Sequence, residues 1–63
     1  MSKLRVAVLE DDGVVLDRIV RMLKSLDTIQ VLTAQEDAAK FKERVRADPP
    51  DALLLDIEID KDD

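Results

Sequence analysis

Four carboxylates in this 63-residue sequence stand where chemistry is conceivable. Glu10, Asp11 and Asp12 follow the apolar stretch Leu4 to Leu9, and Asp56 directly follows Leu53-Leu54-Leu55. An ionisable residue at the end of an apolar run is costly to bury without a partner, so Asp56 asks for a reason. Carboxylates held close together repel one another, and a hard divalent cation offsets that repulsion. Magnesium suits such a place, because it takes oxygen ligands, accepts few protein carboxylates and keeps several waters. An aspartate beside magnesium can act as a nucleophile toward a phosphoryl group and form an aspartyl-phosphate. The metal then neutralises charge on the transferring oxygens. The blander reading is that acids at strand ends are helix caps and solubilising turns. It is the reading we adopt for Asp12. For Glu10 and Asp11 the two readings balance until Asp56 is set beside them.

Composition removes several other chemistries. The chain has no cysteine and no histidine, which excludes disulfides, zinc cages of the usual ligands, Ser-His or Cys-His catalysis and a histidine pH switch. Hydrophobic residues make up 46% of the chain, enough to argue for folding. The net charge of −5 argues against a nucleic-acid groove or an anionic membrane surface as partner. Leu4 to Leu9 is too short for a signal-peptide core or a membrane span. The absence of cysteine fits a cytoplasmic location.

The elements that must position the carboxylates read clearly. Leu4 to Leu9 is a short β-branched run, expected as a strand buried on both faces. Asp12 then caps a helix from Val14 to Leu26, with apolar residues at Val15 or Leu16, Ile19, Val20, Met22, Leu23 and Leu26. Asp17 is expected to favour its positive end. Ile29 to Ala34 is the second strand. A second helix, Glu36 to Ala47, carries Ala38, Phe41 and Val45 on one stripe, and Pro49-Pro50 ends it. Ala52 to Leu55 is the third strand. Alternation of this kind implies one α/β domain over residues 1–63, with parallel strands, right-handed crossovers and helices on both sheet faces. If strands one and three are neighbours, the order is 2-1-3, and Glu10, Asp11 and Asp56 meet on the rim at the strands' carboxyl ends. The acidic end Asp60 to Asp63 reads as a solvated tail.

These residues resemble a known family. Val6-Ala7-Val8-Leu9-Glu10-Asp11-Asp12 is similar to the opening strand and acidic cluster of bacterial response-regulator receiver domains. Pro49-Pro50-Asp51-Ala52-Leu53-Leu54-Leu55-Asp56 is similar to their third strand and phosphoacceptor aspartate. The resemblance covers the N-terminal half of that domain and implies half of a flavodoxin-like (CheY-like) three-layer sheet. It implies that Asp56 is phosphorylated by a histidine kinase, that Asp11 binds Mg2+ directly and that Glu10 acts through a water. Glu58 would contribute its backbone carbonyl to the metal. Two departures stand out. Ile59-Asp60 occupy places where the family commonly has Met-Pro, and the sequence ends before the strands that carry the family's hydroxyl and lysine contacts to the phosphoryl group. The chain is therefore expected to be a phosphoacceptor and not an enzyme, and a poor phosphoacceptor by itself.

Two other readings compete. One is a structural fragment or designed half-domain that keeps the sheet and self-assembles. The other is a haloacid-dehalogenase-like phosphatase fragment, which disagrees with Glu58 at the second aspartate's place and with a nucleophile so late in the chain. Asp60-Lys61-Asp62-Asp63 is too short for a calcium loop of the EF-hand kind. A chain this small buries little, so a homodimer or larger assembly through strand three or the uncovered sheet faces is expected.

Overall fold

The computed structural model describes residues 3–56. Its elements follow in the order β1 (Leu4–Leu9), α1 (Gly13–Lys24), β2 (Ile29–Gln35), α2 (Ala38–Ala47) and β3 (Ala52–Leu55). The three strands are parallel, in the order β2-β1-β3. This is half of a flavodoxin-like α/β sheet, as expected. The chain steps from β1 to β2 on one side and returns past β1 to β3. Right-handed crossovers then place α1 and α2 on opposite faces, and the two helices share no contact.

The core sits on β1. Val6, Ala7 and Val8 are buried one after another, which requires cover on both faces of the sheet. Phe41 of α2, the single aromatic residue, is the buried side chain of the helices. On α1, Leu16, Ile19, Val20 and Leu23 are half-buried and Val15 and Met22 are exposed; the helix ends at Lys24 with Ser25 as its C-cap, short of the expected Leu26, which is exposed beyond it. The apolar stripe is wider than the sheet beneath it, because α1 packs chiefly on β2 and neither helix reaches β3. Leu53, Leu54 and Leu55 are consequently 50%, 41% and 42% exposed.

Local chemistry sets the element ends. Asp12 Oδ1 accepts hydrogen bonds from the N–H groups of Val14 and Val15 at 2.9 and 3.3 Å, so the expected cap is present. Asp37 caps α2 by accepting from the Lys40 N–H at 3.0 Å, which starts that helix at Ala38 instead of Glu36. Asp48 leaves the helical region ahead of Pro49, at φ −146° and ψ 86°. Asp17 lies beyond the first turn of α1 and pairs with Arg21 at 3.2 Å, so it does not serve the helix terminus. A bulge at Leu32 shifts the β1–β2 register, with Val6 opposite Val31 and Ala7 opposite Thr33.

Arg5 ties the amino ends of β1 and β3 together. Its N–H donates to Asp51 Oδ2 at 2.9 Å, and its guanidinium donates to the Pro49 carbonyl at 3.1 Å and pairs with Asp48. Both partners of that ion pair are open to solvent, so its contribution is mainly geometric. The apolar core is a different matter. Phe41→Ala should cost about 3–5 kcal/mol, comparable to the whole stability of a domain this size. Far-UV circular dichroism should show that variant largely unfolded at 25 °C; a cooperative melt near that of the parent chain would contradict the placement of Phe41 in the core.

Candidate functional site: a carboxylate cluster at the sheet rim

Backbone pairing brings the rim carboxylates together. The Glu10 N–H donates to the Gln35 carbonyl at 3.0 Å, which extends the β1–β2 ladder by one residue. On the other side the Asp56 N–H donates to the Leu9 carbonyl at 3.1 Å, setting Asp56 next to Glu10. Each of Glu10, Asp11 and Asp56 offers a carboxylate oxygen such that all three lie within 4.8 Å of one another. That is the spacing at which one small cation can be shared among oxygen donors.

The burial of these acids differs from expectation. Asp56, expected to be the carboxylate at the end of a core strand, is exposed, because among the described residues neither helix packs on β3. Glu10 is the buried one, at 3% exposure. Its Oε2 accepts the Asp12 N–H at 3.0 Å, so Glu10 braces the turn whose next residue caps α1. Asp11 is exposed, and Asp12 is occupied as a cap. Glu58 and the acidic end Asp60 to Asp63 lie outside the described residues.

The electrostatics centre on Glu10. The Asp12 N–H favours its ionised form and pulls its pKa down. Burial and the neighbouring carboxylates of Asp56 and Asp11 outweigh that bond, so the pKa lies above the ordinary 4.5. Among the described residues the ion pairs are Arg5–Asp48 and Arg21–Asp17, both away from this rim. The donor set, three carboxylate oxygens within 4.8 Å of one another, is of the kind that a divalent ion with oxygen ligands fits.

Sequence reasoning did not find the part played by Glu36. It reads there as a helix opener, but its carboxylate lies beside Gly13, where an added Cβ would come within 3.0 Å of Oε2. The contact is with the far end of an exposed, flexible side chain, so it places Glu36 beside the start of α1 without requiring glycine there. A groove of about 490 Å³ opens beside the cluster, walled by Val15, Ile19, Met22, Leu54 and Leu55. Among the described residues no helix is long and apolar enough to cross a membrane.

No family model matches the chain, and no solved structure matches it significantly. Over all 63 residues it is 35% identical to a protein-glutamate methylesterase/protein-glutamine glutaminase of Hydrogenovibrio crunogenus. The chain spans 17% of the length of that curated relative. The match is consistent with a receiver-like fragment.

Two measurements check the site. A group whose folded pKa is raised binds more protons folded than unfolded between the two values. Its contribution to stability is present below pH 4.5 and is lost as pH rises through the raised value. Without metal, Glu10→Gln should therefore raise the melting temperature at pH 7, while leaving the acceptor for the Asp12 N–H in place. An unchanged or lower melting temperature would show that Glu10 is not under electrostatic load. Added magnesium should stabilise the parent chain by mass action, by about 1.4 kcal/mol at tenfold above its dissociation constant, and stabilise Asp56→Asn less. An equal gain in both would remove the shared site.

Proposed function

We propose that this chain is a receiver-type phosphoacceptor module, or the N-terminal part of one, with Asp56 as the residue that accepts the phosphoryl group. The observation that carries this reading is the convergence of Asp56, from β3, with Glu10 and Asp11, from the end of β1. The 2-1-3 parallel order and the likeness to part of the methylesterase support it. A histidine kinase is the proposed source of the phosphoryl group.

The roles follow from burial and geometry. Asp56 is exposed, so its carboxylate can approach an incoming phosphorus atom from solvent. Asp11 and Asp56 offer their oxygens as metal ligands, and buried Glu10 is fixed by the Asp12 N–H to orient the ion or a water on it. Bound Mg2+ supplies charge neutralisation on the transferring oxygens. An Asp56 oxygen attacks the phosphorus and the bond to the leaving group breaks, leaving an acyl phosphate on the side chain. Among the described residues no lysine or arginine pairs with the rim acids, so the product has little to hold it there.

Incubation with acetyl phosphate and magnesium, followed by intact-mass measurement, tests this. A slow, partial gain of one phosphoryl group is expected, with acetate as the leaving group. It should vanish in Asp56→Asn and when the metal is chelated. A gain that persists in Asp56→Asn, or that ignores chelation, would overturn the assignment. Rapid and complete modification would show that contacts beyond this chain matter less than proposed.

A further inference from the structure

We propose that Arg5 and Asp51 are positioning residues: they set the register of β3 on β1 and so place Asp56 in the carboxylate cluster. The consequence for Asp56 rests on the reading of that cluster as a shared site; the register itself does not. The contacts lie at the amino ends of the two strands, about 16 Å of extended chain from Asp56. The Asp51 N–H donates to the Arg5 carbonyl at 2.8 Å, and the Arg5 N–H donates to Asp51 Oδ2 at 2.9 Å. In a regular parallel ladder that second N–H would go to a backbone carbonyl of the neighbouring strand. A side-chain oxygen takes the place here, so the first rung depends on which residue stands at 51.

The Arg5 guanidinium reaches the other way, to the Pro49 carbonyl at 3.1 Å and to the Asp48 carboxylate. Asp48 is the C-cap of α2, so one residue of β1 holds both ends of the link Asp48-Pro49-Pro50-Asp51. The two prolines fix φ within it. A stiff link held at both ends has little slack to let β3 slide.

The strand needs such an anchor, because its own side chains specify register poorly. Register is ordinarily fixed by which face of a strand is apolar, since a slip of one residue turns every side chain over. β3 reads Ala52-Leu53-Leu54-Leu55, and alternation puts leucine on both faces. A one-residue slip therefore returns leucine to two of the three leucine places. Opposite them, Val6, Ala7, Val8 and Leu9 are apolar throughout. The bond from the Asp56 N–H to the Leu9 carbonyl holds Asp56 once the register is set, but any residue except proline could make it. The cluster tolerates no such freedom. One residue is about 3.3 Å of travel, and it would put Leu55 in place of the carboxylate that lies within 4.8 Å of Glu10 and Asp11.

Amide resonances of the whole chain, recorded without metal and with saturation transfer to reveal a minor register, are the test. Asp51→Ala removes the side-chain acceptor, and Asp51→Asn keeps an oxygen in its place. The ratio of native to slipped register, read from proton contacts between Leu9 and Asp56, should fall about tenfold in Asp51→Ala, the worth of one charge-assisted hydrogen bond. Asp51→Asn should restore it. A variant Asp51→Ala that melts lower but keeps one register overturns the proposal. Magnesium should suppress the slipped register in Asp51→Ala, because it binds the native one. Failure to do so, while the parent chain binds the metal, would overturn the link to Asp56. A parent chain that binds none contradicts the cation site instead, and the metal-free register still decides on Arg5 and Asp51. If Asp51→Ala does not fold, hydrogen exchange in the parent chain decides. The Arg5 and Asp56 amides should open together; an Arg5 amide that exchanges far faster than that of Asp56 would show that the amino end does not hold the register.

Discussion

The backbone of β1 hydrogen-bonds on both edges, and the rest of the molecule hangs from those two ladders. Val6, Ala7 and Val8 can be buried in succession only because a strand lies on each side and a helix on each face. β2 and β3 flank β1 and supply most of its contacts, α2 contributes Phe41, and α1 packs chiefly on β2. Burial is therefore concentrated in few residues, and stability rests on a core that cannot lose a large side chain. The same ladders fix the chemistry. A parallel pair places two strand ends on one rim, and the Asp56 N–H to Leu9 carbonyl bond locks Asp56 beside Glu10. No side-chain contact within the cluster is needed to assemble it.

The three acids divide their tasks by environment. Glu10 is inaccessible and holds the turn into α1 through the Asp12 N–H, so it is a fixed charge that cannot turn away from its neighbours. Asp11 and Asp56 are exposed and can reorganise around an ion or a reactant. Crowding raises the pKa of the group that is least able to relax. If the proposed cation binds there, it relieves that load, and metal binding and fold stability are then linked through Glu10.

Much of this was legible in the residues. The β-branched run of β1, the cap at Asp12, the stop at Pro49-Pro50 and the strand–helix alternation led to the 2-1-3 sheet, because each is a local signal with one structural outcome. The convergence of Glu10, Asp11 and Asp56 followed from that order. What escaped depends on tertiary cover. Three leucines in β3 read as a core strand, and only the helix positions show that neither described helix lies over them. The exchange of burial between Asp56 and Glu10 has the same origin. The bulge at Leu32 leaves no mark in the alternation of apolar residues, and Asp17 sits one turn too far along α1 to reach its positive end.

The central claim is that Glu10, Asp11 and Asp56 form one cation site at the carboxyl end of the sheet. Titration with substoichiometric Mn2+ as a paramagnetic probe, followed by amide resonances, tests it most directly. Broadening should appear first at residues 9–12 and at Leu55 and Asp56, and excess magnesium should reverse it. Broadening spread evenly over the other exposed acids, such as Asp17, Asp27 and Asp48, would contradict the account.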